Sequence, residues 1–345
     1  MMRCATVSLC CLLAGCAAPS VRPVVRATLA PGQTIEVVGL RRWSLQMIDD
    51  SLAKYAPGES LASHACIATL RYKLGFVDAN IIGFDTTVVY DADTTHSGTM
   101  ILLVREPQDS ARVHPVVRLE DDIARREEWR AVTNVFHSDL ELFSSFYRSY
   151  LREDARVTVR KERAARDSLD WVVMTEILAR EHTDAGYAKA LRVLAESPSN
   201  PDRSVAVLIL SGYSNRDDAW RALLLAAVSD LQWIDAGIAQ EAMQMMSARH
   251  PRHVDWEPVA PVIRHVLDGT ALAALMPVID VLLRTGVNQR SAAPLLSHGG
   301  ELLSALLEVS SGEVVKPAHE LLVKLRGEDL GASPTPWRKW MATLQ

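Results

Sequence analysis

After residue 16 this 345-residue chain holds a single cysteine, Cys66; the other four, Cys4, Cys10, Cys11 and Cys16, crowd into its first sixteen residues. A folded body with one thiol carries no intrachain disulfide framework. A block of basic residues is missing as well, with 37 Lys+Arg against 42 Asp+Glu, so the electrostatic footprint of a nucleic-acid binder is absent and no nucleic-acid partner is expected. The apolar run Ala5–Leu13 is too short to span a bilayer as a helix. Gly-x-Ser-x-Gly, the P-loop, G-x-G-x-x-G, H-E-x-x-H and C-x-x-C do not occur, and with them goes any reaction that could be derived from a motif. What remains, 48% hydrophobic and 23% charged residues with a net charge of −5, describes an ordinary globular chain long enough for two domains.

The first residues carry the layout of a secretory signal peptide: one basic residue, Arg3, then the apolar run, then small residues. Leu13-Ala14-Gly15-Cys16 resembles the lipobox of bacterial lipoprotein precursors. That resemblance implies cleavage between Gly15 and Cys16 and a thioether-linked diacylglyceryl group on Cys16, with further acylation of the new amino group. One acyl chain holds a protein only marginally at a membrane, whereas two or three hold it stably. Residue 17 is alanine rather than the aspartate that resembles an inner-membrane retention signal, which implies the periplasmic face of the outer membrane. Removing residues 1–15 leaves 36 basic against 42 acidic side chains, so the lipid rather than charge would do the anchoring. Residues 16–32, with three prolines and no helical stripe, read as a flexible tether.

A small α/β domain is expected over 33–106. Thr34–Leu40 alternates as a strand, Ser44 caps a helix carrying Leu45, Ile48 and Leu52, and a second helix runs to Leu74 before Gly75. Strands follow at Ala79–Phe84, Thr87–Tyr90 and Thr99–Val104, with Asp91–Gly98 as the last connection. This strand-helix-helix-strand-strand order and the segment Leu74-Gly75-Phe76-Val77-Asp78-Ala79 resemble the POTRA domains of bacterial envelope proteins. The resemblance implies a non-enzymatic module that binds neighbours by strand addition. His64 and Cys66 lie two apart on the second helix and so do not face each other as a catalytic dyad; Cys66 reads as a buried structural thiol.

Residues 107–166 read as a helical connector packed between domains, with Trp129, Val132, Phe136, Phe143 and Phe146 at helical spacing. From 167 to the end, nine short apolar helices, among them Leu272–Arg284 and Ala292–Leu307, are separated by Pro, Gly, Asn or Asp, and alternate members start at about 203, 236, 271 and 313. Intervals of 33, 35 and 42 residues match a helix-pair period. The pattern resembles HEAT-like repeats. Leu322-Val-Lys-Leu-Arg-Gly-Glu-Asp-Leu-Gly331 followed by Trp337 and Trp340 is similar to the closing segment of bacterial HEAT-repeat proteins, departing from it at Arg326, Leu330 and Met341. Trp337 and Trp340, three apart on one face, are the expected structural cap.

The fold class read here is therefore an α+β N-terminal domain followed by an all-α HEAT-like helical solenoid. His250, His253, Asp255 and His265 form the one grouping with metal-ligand chemistry, but Pro251 and their spacing argue against a site, and neither a cofactor nor a metal is expected. Asp121, Asp122, Asp217, Asp218 and Glu313 sit at helix starts, where negative charge suits the helix dipole. Ser297-His298-Gly299-Gly300 reads as an inter-repeat loop. No catalytic residue is assigned. The expected role is binding or scaffolding of an envelope protein or peptide. The competing classes are an envelope hydrolase acting on peptidoglycan or another polymer, favoured if a pocket gathers His250, His253 and His265, and a structural spacer.

Overall fold

The computed structural model describes residues 23–30, 32–90, 93–108, 129–152, 168–228, 233–297 and 300–344, with side chains for all of these except 84–90, 93–97 and 233–235. Cys16 and the leader, Asp121, Asp122, His298 and Gly299 lie outside the described residues.

Alternating residues at Gln33–Val38 form strand β2, the second member of a four-stranded sheet ordered β1 (Val25–Ala30), β2, β4 (Asp93–Arg105), β3 (Asp78–Tyr90). β2 runs parallel to β4, and the other pairs are antiparallel. β1 corrects the expected tether of 16–32. The run between Pro23 and Pro31 contains no proline, so its amides can join a ladder, and Val25, Ala27 and Leu29 pack on the core beneath. A second difference concerns the hairpin. The expected strands at 79–84 and 87–90 are one strand, and most of the expected connection Asp91–Gly98 is strand too, in register from Asp78↔Arg105 to Tyr90↔Asp93. β2 pairs with β4 only from Gly98 to Leu103, so the outer part of the hairpin continues as a two-stranded ribbon.

The period-two alternation sends neighbouring side chains of β2 and β4 to opposite faces. Ile35, Val37, Leu102 and Val104 pack under helix α1 (Leu45–Tyr55) and helix α2 (His64–Ala68), which continues into a π turn at Thr69–Lys73. Ser44 caps α1 by accepting from Met47 N at 3.2 Å. Gly39 links β2 to this layer at φ +102°, and a Cβ there would stand 2.1 Å from the Val104 carbonyl oxygen, so the turn accepts only glycine. On the other face, Val38, Ile101 and Leu103 belong to a second core that runs on into the C-terminal helices. The sheet is covered on both sides.

The helical region comprises α3 (Arg130–Ser138), α4 (Leu140–Arg152), α5 (Leu169–Arg180), α6 (Asp184–Glu196), α7 (Asn200–Ser211), α8 (Asp217–Val228), α9 (Trp233–Arg249), α10 (Ala260–Leu267), α11 (Leu272–Arg284), α12 (Ala292–Leu296), α13 (Glu301–Ala305), α14 (Gly312–Arg326) and α15 (Pro334–Met341). The chain α7, α9, α11, α14 is joined by direct contact of each member with the next, while α6 packs on α7, α8 on α9 and α10 on α12. Every residue of α7 from Pro201 to Leu210 is buried, including Arg203, whose Nη1 donates to the Leu194 carbonyl at 2.6 Å. α3 and α4 pack on α7, and α4 also on α9, so the described part of the expected connector joins the helical core; the sheet itself meets α11. The expected single helix at 292–307 is broken. Gly300 takes φ +85° between α12 and α13 and donates to Asp268 Oδ1 at 2.8 Å.

Charged groups line the seam between sheet and helices. Glu36, 1% exposed, accepts from Arg26 Nε at 2.6 Å and from Ser310 N at 2.7 Å. Asp78 accepts from Leu272 N at 2.7 Å, where α11 begins, and Arg41 pairs with Glu301. Glu308 accepts from Val24 N at 3.2 Å and from Arg338 Nη2 at 2.9 Å, tying β1 to the last helix. Trp337 in that helix is fully buried, with Nε1 donating to Gly331 O at 2.7 Å, and Trp340 stands edge-on to it at 6.0 Å, half-buried.

Two outcomes are expected from this packing. Trp337→Ala removes a wholly buried indole and costs about 3–5 kcal/mol, read as a lower denaturation midpoint; a loss below about 1 kcal/mol would contradict the packing. Asp268, beside the break, has its carboxyl pushed up to about 6 by burial, against the weaker opposing pull of the Gly300 amide and of Arg105 and Arg264. Its raised folded-state value means the native state holds the proton more tightly than the unfolded chain does. This group's contribution is therefore greatest at low pH and is lost between about pH 4 and 6 as pH rises. Asp268→Asn should melt above the wild type at pH 7.5, and the gap should close toward pH 4.5; a gap independent of pH would refute the assignment.

Candidate binding cleft

At one end of the helices, each inter-helix loop is bonded to the next. Tyr213 Oη donates to Thr183 O at 2.9 Å and Arg216 pairs with Asp184 at 2.9 Å. Arg252 donates to Ser214 O at 3.1 Å and pairs with Asp217 at 2.7 Å, while Asp255 N donates to Asp217 Oδ2 at 3.0 Å. His253 Nδ1 lies 3.1 Å from Gly286 O, and Gln289 Nε2 donates to Arg326 O at 3.1 Å. These hydrogen bonds join residues 30 to 38 apart. Aromatic rings stiffen the first step: His182 stacks on Tyr213 at 4.8 Å, and Arg216 lies 4.2 Å over the Tyr187 ring. Burial raises the Tyr187 phenol above its ordinary value, and the negative charge of nearby Asp218 raises it further, so it stays protonated.

Between two of these loops, 253–257 and 286–291, lies a cleft of about 350 Å³. Its floor is apolar and buried: Val254, Trp256, Val287 and Leu295. Its mouth is polar, with His253, Asp255 and Glu257 from one wall and Asn288, Arg290 and Ser291 from the other. The floor is held by Thr285, which is fully buried, accepts from Trp256 Nε1 at 2.9 Å and donates to Val281 O at 2.7 Å. Gly286 at φ +86° brings its loop against His253, since a Cβ there would come 2.9 Å from Nδ1. Asn288 Oδ1 accepts from Arg290 N at 2.9 Å and so shapes the short turn that carries Arg290.

Of the grouping read from sequence, the cleft takes His253 and Asp255 and leaves out His250 and His265. Asp255 is engaged by the Glu257 amide at 3.1 Å and by Arg221 at 3.5 Å. No three His, Cys, Asp or Glu residues among the described residues are placed to hold a metal ion. His64 is exposed, while Cys66 is fully buried, its thiol pushed up to about 11 by burial and by Asp49, a state in which it is a poor nucleophile. Asp217 and Asp218 occupy the first turn of α8 and Glu313 that of α14. Sequence reasoning missed Trp256, Glu257, Asn288 and Arg290. Their only signal was position, in consecutive loops about one helix pair apart.

No helix among the described residues is long and apolar enough to cross a membrane. No protein-family profile, curated protein or solved structure matches this chain. Thr285→Val should cost about 1–3 kcal/mol, because it leaves the buried Trp256 Nε1 without its acceptor while preserving side-chain volume. Thermal unfolding checks this, and an unchanged midpoint would mean that the bond does not hold the floor.

Proposed function

We propose that this is a lipid-anchored cell-envelope protein that binds a protein or peptide partner through a HEAT-like α-solenoid, with a POTRA-like α/β unit at its N-terminal end. The observation that carries the reading is the spacing of contacts. Helices α7, α9, α11 and α14 start at 200, 233, 272 and 312, each touches the next, and the loop-to-loop bonds recur at similar separations. Helix pairs that contact mainly their neighbours are the condition for a one-dimensional array, and such arrays present extended binding surfaces. The α/β reading is supported by the order β2, α1, α2, β3, β4. The presence of β1 beside β2 moves any strand addition to β1 or β3.

The anchor rests on the lipobox-like Leu13-Ala14-Gly15-Cys16. If Cys16 carries the lipid, only a few residues separate it from β1, so the folded body sits within about 25–30 Å of the bilayer. In-cell crosslinking of wild type beside Cys16→Ala, with intact-mass analysis of the N-terminus, tests the reading. Acylated Cys16 and capture of a specific envelope protein by the wild type, lost or redistributed in the variant, are expected. An unmodified Cys16 would overturn the anchor, and acylation without capture would overturn the scaffold.

A further inference from the structure

The cleft between 253–257 and 286–291 offers charges of both signs that its own polar network does not consume. His253 is taken up by the Gly286 carbonyl, Asp255 by Arg221 and the Glu257 amide, and Asn288 by the Arg290 amide. The Glu257 carboxylate and the Arg290 guanidinium make no hydrogen bond or ion pair among the described residues, with each other or with any third group. One belongs to each wall, and below them lies the apolar floor of Trp256, Val287 and Leu295. A ligand with a single charge would leave one of the two uncompensated. A ligand with an ammonium and a carboxylate on either side of an apolar group satisfies both and covers the floor, and guanidinium is well matched to carboxylate in shape. The volume of about 350 Å³ is at the small end of ligand sites, the size of a dipeptide rather than of a folded surface.

We propose that this cleft binds a dipeptide-sized zwitterion, its ammonium on Glu257, its carboxylate on Arg290 and an apolar side chain on the floor. The inference rests on reading the loop rim as a binding surface and names the ligand class that one part of it takes. Calorimetric titration of the full chain in detergent with L-alanyl-L-leucine, N-acetyl-L-alanyl-L-leucine and L-alanyl-L-leucinamide tests it. The free dipeptide should bind, and blocking either end should weaken binding about 1.4- to fivefold, the range for a charge pair at a solvated mouth. Glu257→Gln should erase the penalty of acetylation and keep that of amidation; Arg290→Gln should do the reverse. Both residues are exposed, so these variants fold. No binding up to about 10 mM, or equal binding of free and blocked dipeptides, overturns the proposal. If the dipeptide fails while the crosslinked partner is still captured, this inference falls and the scaffold reading stands; dipeptide binding without capture does the opposite.

Discussion

From Ile101 to Arg105 strand β4 is buried on both faces, and the rest of the architecture depends on that. Leu102 and Val104 close the layer under α1 and α2, while Ile101 and Leu103 enter the core of the helices. A strand in this position cannot solvate either face, so the α/β unit has a hydrophobic reason to dock on the helical region. Docking brings Glu36, Asp78, Arg41 and Arg105 out of water, each at most 6% exposed. Burying such groups is costly unless each finds partners, and the partners come from across the seam: Ser310 and Leu272 amides and Glu301. The charges fix the orientation in which Glu36, Asp78 and Arg41 meet these partners.

The same logic governs the helices. None is long, and α7 is buried all round, so each is stable only against neighbours. Contacts therefore follow the order of the chain, and the loops at one end come within hydrogen-bonding distance of the loops one helix pair away. A cleft forms beside the point where Gly286, at positive φ, lets one such loop come against His253 of the other, with a capped turn carrying Arg290 on the far wall. Binding surfaces on packed scaffolds commonly arise in this way, because the helices fix what the loops display.

Much of the fold was legible one element at a time. Periodicity alone placed α11 at Leu272–Arg284, the bounds it has in the structure, and the Ser44 cap and the alternation of β2 were equally local. Two readings differed for non-local reasons. β1 looked like a proline-rich tether because its pairing partner lies across a turn and its apolar neighbours lie on α1 and beyond. The helix at 292–307 broke because Gly300 is held by Asp268, 32 residues away. The described part of the connector, 129–152, packs on α7 and α9, partners that its own periodicity does not identify. The candidate site was less legible. His253 and Asp255 stood out by residue type, whereas Glu257 and Arg290 are ordinary surface charges until the two loops that carry them are placed side by side.

The sequence by itself determined the elements, the glycine turns, the absence of a disulfide framework and the absence of any motif-borne chemistry, because each follows from residue type and short-range spacing. Only the tertiary structure decided that the sheet is buried twice, that Arg203 and Glu36 are interior, and that Glu257 and Arg290 line the same cleft. Those properties belong to pairs of residues far apart in the chain. Their energies come from burial and from contact distance, and a linear pattern carries neither.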